Sequence, residues 1–394
     1  MSDSIYHEFT PVSKAEWLQQ LAKDLKGKSL EDLRWSLSED ISVDPFYHPD
    51  DFEGEPDFIA LAASKAANSW EIGEYIPVPD MAKANRDALE GLLSGVQAPL
   101  FQLHHQPGPA ELGLLLEGIR PDLVSLHFEQ DHPGKNPEQL LFDFAHWVQS
   151  QGIDTDHVTG TLDFDPLLDW SEPPYDMLTR VLAFCESEMP RFRPLQIDVR
   201  PFHDRPMHVV DELTFALAKG AECLSALSDK GLSVREINNH LHISIAINTS
   251  FFVAIAKLRA LKLVWANLLG AYGHADASLP PVIVHFAPET QTADANTNMI
   301  RAATQAMSAV IGGAHTLFVL PSDAATVDES SAFSRRIARN VQHLLKMESY
   351  LDRVVDPAAG SFYIEKLTQL LAQNAWAKFQ EIERKGGFMQ IVDL

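Results

Sequence analysis

The rhythm of apolar and polar positions changes twice along the chain. Between residues 14 and 25 apolar side chains recur at helical spacing, with Trp17, Leu18, Leu21 and Leu25 on one stripe. Ser13 followed three residues later by Glu16 is the pattern that closes a helix N-terminus, so the spacing predicts a short amphipathic helix from Lys14 to Leu25, ending near Gly27. After Leu33-Arg34-Trp35 the period is lost. The stretch SEDISVDPFYHPDDFEGEPD is polar and proline-bearing, with isolated anchors at Ile41, Val43, Phe46 and Tyr47, and reads as an extended segment laid on a surface, its own or a partner's. Residues 1–69 are therefore expected to form an arm and linker at a subunit interface, and residues 70–394 a separate folded unit.

From about Trp70 onward, short β-rich runs alternate with helical ones. Strands are predicted at 99–104, 123–128, 157–164, 195–200, 241–247, 281–286, 315–320 and, least regularly, 353–356. Between them lie helical stretches such as AKANRDALEGLLSG, PEQLLFDFAHWVQSQG and FSRRIARNVQHLLKMES. Alternation of this kind implies parallel strands with helical crossovers. Eight strands fit a closed α/β (β/α)8 TIM-type barrel better than an open doubly wound sheet, and no G-x-G-x-x-G or Walker sequence supports the open form.

Composition narrows the function. With 45% hydrophobic residues in 394 the chain can bury a large core. A formal net charge of -24, from 31 basic and 55 acidic residues, opposes nucleic-acid binding, which needs a basic stripe. Cys185 and Cys223 form neither a disulfide framework nor a zinc cluster. The N-terminus lacks a signal-peptide pattern, and no apolar run approaches the roughly 18 residues of a membrane span, so a cytoplasmic protein without membrane contact is expected.

Several segments carry a more specific signal. VDELTFALAKGAECLSALSDKGL, SFFVAIAKLRALKLVWANLL, NTNMIRAATQAMSAVIGGAHTLFV and FSRRIARNVQHLLKMESYLDRVVDPAAGSFYIEKLT resemble, in order and spacing, the barrel of the acyl-CoA mutases, above all methylmalonyl-CoA mutase. The N-terminal EWLQQLAKDLKGKSLEDLRW and SWEIGEYIPVPDMAKANRDALEGLLSGVQAPLF are similar to the small subunit of the two-chain enzymes. These segments also have a physical reading. In FFVAIAKLRALKLVWANL the apolar residues cover a broad face, and Lys257, Arg259 and Lys262 are expected to project toward a loop rim or solvent. Gly312-Gly313 suits a helix end, and Asp356-Pro357 with Gly360-Ser361 a turn after the last strand.

The resemblance implies a carbon-skeleton rearrangement started by homolysis of adenosylcobalamin, and three features bear on whether this chain performs it. No histidine fits the family's Asp-x-His-x-x-Gly motif, which supplies the lower axial ligand, so this chain alone is expected to bind no cofactor and adenosylcobalamin to belong to the holoenzyme. The family's Gly-Thr-Ile-Gln-Asn-Asp, placed at the end of the third strand, corresponds to Gly160-Thr161-Leu162-Asp163-Phe164-Asp165, where a carboxylate replaces the substrate-facing amide. Facing a carboxylate of the substrate at 4 Å, Asp163 costs about 4 kcal/mol at an effective dielectric near 20. The family's Gly-Tyr-His is nearest to Arg200-Pro201-Phe202-His203, with phenylalanine in place of the hydroxyl.

Asp163, Asp165 and Phe202 thus read as substrate-facing remnants, and His203 as the one catalytic candidate in a chain expected to have no catalytic residue of its own. For the two aspartates a turn- or helix-capping role is the default. His240 and His242, two residues apart on one strand face, His104-His105 and His208 read as hydrogen-bonded core or rim histidines, and no metal site is expected. Among the possible inward positions Ser125, His127, Ser244 and His285, alternation does not tell which set faces in, and large side chains are expected to narrow the barrel axis. The expected role is a non-catalytic subunit paired with a large catalytic mutase chain as a heterodimer, with a homodimer open to the chain alone. The alternative is an active acyl-CoA mutase barrel served by a separate cobalamin-binding chain.

Overall fold

A computed structural model describes residues 10–37, 41–52, 67–168, 170–203 and 209–391. Helix α1 (Lys14–Asp24) has the expected cap: the Ser13 hydroxyl accepts from the Glu16 N–H at 3.3 Å, and the Glu16 carboxylate accepts from the Ser13 N–H at 2.9 Å. It buries none of its residues. A small antiparallel ribbon follows, β1 (Trp35–Ser36) with β2 (Ser42–Val43). Ile41, Val43 and Tyr47 are buried, Tyr47 lies 6.0 Å from Tyr363, and Phe52 lies 5.7 Å from Phe362. These anchors fasten the segment to the chain's own barrel. Helix α1 leans back on it through Trp17 stacked on Phe46 at 4.4 Å and a Lys14–Asp51 ion pair.

The barrel strands are β3 (Glu71–Val78), β4 (Ala98–Leu103), β5 (Ser125–Gln130), β6 (Thr159–Phe164), β7 (Phe192–Asp198), β8 (Leu241–Ile247), β9 (Val282–Phe286) and β10 (Thr316–Phe318). Each pairs in parallel with the next, and β10 closes the ring on β3. Around them run α2 (Met81–Leu93), α3 (Pro109–Leu115), α4 (Pro137–Ser150), α5 (Tyr175–Glu188), α6 (Val209–Asp229), α7 (Val234–Asn239), α8 (Phe251–Ala271), α9 (Ala295–Ile311), α10 (Ala332–Met347) and α11 (Phe362–Arg384). Between strands and helices the core includes an aromatic chain, Phe101, Phe128, Phe144 and Phe192, with centroid separations of 5.8, 5.2 and 5.7 Å. Among the described residues no helix is long and apolar enough to cross a membrane.

Two expectations need correction. Residues 353–356 form turns, and the missing strand is β3, which opens the ring and makes β6 the fourth barrel strand rather than the third. Its sequence, EIGEYIPV, hides it: Glu74 interrupts the apolar pattern, yet it is 5% exposed and points outward to Arg335 at 2.9 Å and Arg339 at 2.7 Å on α10. Lys257, Arg259 and Lys262 do not reach solvent. Lys257 meets Glu212 at 2.8 Å, Arg259 meets Asp356 at 2.9 Å and Glu365 at 2.8 Å, and Lys262 donates to the Gly313 carbonyl at 2.8 Å, capping α9 where Gly313 turns left-handed at φ +85. Buried cations of this kind are tolerated because each has an acceptor.

Candidate functional site

The C-terminal ends of the strands, where barrels build their sites, surround a cavity of about 730 Å³. Its floor is a line of ion pairs across the axis. Arg200, just past β7, makes a two-pronged contact with Asp198 (2.9 and 2.8 Å) and reaches Glu129 on β5 at 3.0 Å. Glu129 also accepts from Gln102 at 2.9 Å, and beside it the Tyr75 hydroxyl lies 2.8 Å from His285 Nδ1. Burial by itself lowers the proton affinity of the Arg200 guanidinium, but the facing carboxylates of Asp198 and Glu129 outweigh it and hold the group well above the ordinary arginine range. Below, Leu100, His127, His242, Ile283 and Phe318 leave only about 10 Å³ on the axis. Ser125, His127, Ser244 and His285 all face this inner space or its ends.

The charges of the mouth are one-sided. Its lining holds three cations, Lys83, Arg200 and Arg335, and six carboxylates, Asp87, Glu129, Asp198, Glu289, Asp328 and Glu329. Each cation is already taken: Lys83 by Asp87 and Glu329, Arg200 as above, and Arg335 by Glu74 and Asp87. A polyanion entering here has no free cation among the lining residues to meet it.

The sequence candidates part company in space. His203 does line the mouth, 6% exposed, with Nδ1 at 2.5 Å from Glu212 and Nε2 at 3.6 Å from Glu289. Asp163 faces inward, each of its oxygens accepting from the Gln130 N–H at 3.0 Å. Asp165 does not share its face. The β6–β7 register shifts between Thr161 and Phe164, and the Asp165 N–H turns back to the Asp163 carbonyl at 3.2 Å, so the two-residue alternation breaks. Asp165 is instead buried against Lys219 of α6 and accepts from the N–H groups of Leu167 and Asp198, each at 3.0 Å. Phe202 also turns away from the mouth, packing 4.4 Å from Phe215 and 6.4 Å from Phe388. Neither lines the mouth.

The remaining histidines serve elsewhere. His240 caps the end of α7 rather than sitting in a strand, bonded to the Phe192 carbonyl and Glu186, while His242 points into the barrel toward the Arg193 carbonyl. His104 is exposed at the mouth and His105 pairs with Glu111 at 3.3 Å, while His208 lies outside the described residues. No group of three metal-ligating side chains gathers among the described residues. Sequence reading missed the Arg200–Asp198–Glu129 line, although a signal was present: opposite charges two residues apart at a strand end, as in LQIDVR, lie on one face.

Burial, with Glu129 nearby, raises the Asp163 carboxyl well above the ordinary carboxylate range. The unfolded chain releases this proton from about pH 4 upward while the folded chain retains it, so the group lowers stability progressively as pH rises through that window. Asp163→Asn, which keeps an acceptor for Gln130, is expected to be as stable as the parent in acid and more stable at neutral pH. Urea midpoints across pH check this, and parallel curves for the two proteins would refute it.

A closed parallel barrel with a cavity at the C-terminal strand ends is the (β/α)8 architecture, which builds its sites at that face. The family described as methylmalonyl-CoA mutase matches residues 109–394. The methylmalonyl-CoA mutase small subunit of Porphyromonas gingivalis is 34% identical over 410 residues, covering 99% of this chain and 66% of the relative. That of Streptomyces virginiae is 30% identical, covering 98% and 65%, and the large subunit from the same organism is 28% identical, covering 97% and 58%. The chain belongs to the methylmalonyl-CoA mutase family, and it spans slightly less than two thirds of the length of these small subunits.

Proposed function

We propose that this chain is a non-catalytic small subunit of an adenosylcobalamin-dependent methylmalonyl-CoA mutase, pairing with a large subunit that carries out the interconversion of methylmalonyl-CoA and succinyl-CoA. The observation that carries the reading is the mouth: its cations are all engaged, its carboxylates outnumber them six to three, and its floor is barred by Arg200. The existence of separately named small and large relatives supports a heterodimer.

The mouth is also a poor fit for the cofactor. Of the histidines lining the mouth, His203 and His285, 6% and 5% exposed, hold Glu212 and Tyr75 through Nδ1, and the exposed His104 stands in Gln-Leu-His-His-Gln-Pro rather than in the Asp-x-His-x-x-Gly of the resemblance. The homolysis chemistry is accordingly assigned to the partner. Helix α1, which has no fully buried residue, is the part of the arm offered to that partner.

Two measurements test the reading. The purified chain, given adenosylcobalamin and methylmalonyl-CoA, is expected to show no turnover, and the same result is expected with a free cobalamin-binding domain added. Co-expressed with a large subunit it is expected to sediment as a 1:1 complex, which weakens when residues 1–34 are deleted while the barrel's circular dichroism stays unchanged. Turnover by the chain without a large subunit would establish the active-barrel alternative instead.

A further inference from the structure

Helix α10 is built inside out. Its barrel side is largely polar, with Arg339 paired to Glu74 at 2.7 Å, Gln342 donating to the Gly73 carbonyl at 3.2 Å and the Ser334 hydroxyl 3.2 Å from that of Ser322. Its solvent side is apolar: Phe333, Leu344 and Met347 are 53, 48 and 67% exposed, with half-buried Ile337 between them. An outer barrel helix ordinarily turns its apolar stripe to the sheet and its polar residues to water.

The spacing on the open side is regular. Phe333, Ile337, Asn340, Leu344 and Met347 follow one another at intervals of four, three, four and three residues, the seam of two helices packed along their length. The seam is nearly symmetric about exposed Asn340, with Phe333 and Met347 each seven residues away, and Ile337 and Leu344 three and four. Such a seam complements an antiparallel copy of itself. A two-fold axis through Asn340 sets Phe333 against Met347, Ile337 against Leu344 and amide against amide, and a single polar residue in an apolar seam fixes its register.

The charges agree with that pairing. Arg335 and Arg339 are neutralised by Glu74, and Lys346 donates to the Trp70 carbonyl at 2.7 Å. Arg336, four residues from Asn340, lies about 12 Å along the seam from its copy, beyond the roughly 8 Å range of charges in physiological salt. At the ends, exposed Glu348 at the C-cap of one helix comes beside the positive N-terminus of the other. Arg353, its side chain 73% exposed and 3.6 Å from Asp352, comes toward the end that carries exposed Asp328.

We propose that α10 is a docking face for a second copy of this chain, the two helices packed antiparallel across a two-fold axis at Asn340. The face uses no residue of α1, which the subunit role above offers to a large subunit, so the two associations are separable.

Sedimentation of the full chain over a concentration series tests the pairing. A reversible dimer in the micromolar range is expected, because one helix pair makes a small interface. Leu344→Asp should raise its dissociation constant about tenfold or more, since a symmetric contact loses the leucine twice. Circular dichroism checks that this half-exposed position leaves the fold intact. Asn340→Cys places two thiols on the axis and should cross-link into a dimer under mild oxidation, whereas Ala183→Cys, exposed on α5, should not; the native Cys185 and Cys223 are buried. An equimolar large subunit should leave the Asn340→Cys cross-link in place. A chain monomeric at every concentration, a dimer indifferent to Leu344→Asp, or equal cross-linking at the two cysteine positions would overturn the assignment. Loss of the cross-link on adding the large subunit would overturn it too, and give the face to that partner.

Discussion

Gly160→Ala is expected to yield almost no soluble folded chain. A β-carbon at this position falls 1.8 Å from the Leu126 carbonyl oxygen and 2.7 Å from its carbon, on a backbone whose φ of +148 already disfavours any side chain. The obstacle is strand β5 itself, so relief requires moving two paired strands of a closed ring. The cost lies at the exceptional end of single substitutions, beyond about 4 kcal/mol. Gly27→Ala is the control: its φ is +93, yet nothing lies within 4 Å, and a loss of only about 1 kcal/mol is expected. Soluble yield and far-ultraviolet circular dichroism decide the matter, and a Gly160→Ala protein melting within a few degrees of the parent would show that the strands accommodate the methyl group.

Lys219→Met should be the most damaging substitution that leaves the backbone unstrained. Lys219 is fully buried, paired with Asp165 and donating to the Asp198 carbonyl at 2.7 Å. Removing it strands a buried carboxylate, which costs about 3–5 kcal/mol. The double variant Asp165→Asn with Lys219→Met removes the charge and keeps an acceptor for one of the two N–H groups, which donate to different oxygens of Asp165, and should recover part of that loss. Chemical denaturation of the three proteins measures the coupling. Equal stability of the single and double variants would mean that Asp165 is neutral without help from Lys219.

These two residues also explain what could be read in advance. The Gly160–Asp165 run resembles a substrate-binding motif. Its glycine is retained because β5 leaves no room for a side chain, and its last aspartate is used by the fold, bridging β6, β7 and α6. Only Asp163 points inward. Alternation could not reveal this division, because the register shift and the backward N–H bond at Asp165 depend on β7, a segment distant in sequence. Seven of the eight strands are legible from periodicity, but β3 is not, since Glu74, which breaks its apolar pattern, is satisfied by α10, some 260 residues later. Lys257 and Arg259 were misplaced for the same reason: their acceptors, Glu212, Asp356 and Glu365, become neighbours only once the ring has closed.

Arg200 also acts as a mechanical tie. By joining Asp198 at the end of β7 to Glu129 on β5, it reaches over β6 and ties two staves that share no backbone hydrogen bonds. The brace is made of the chain's own side chains, so on the proposed subunit role a partner seated on this barrel meets a ring already tied across β6.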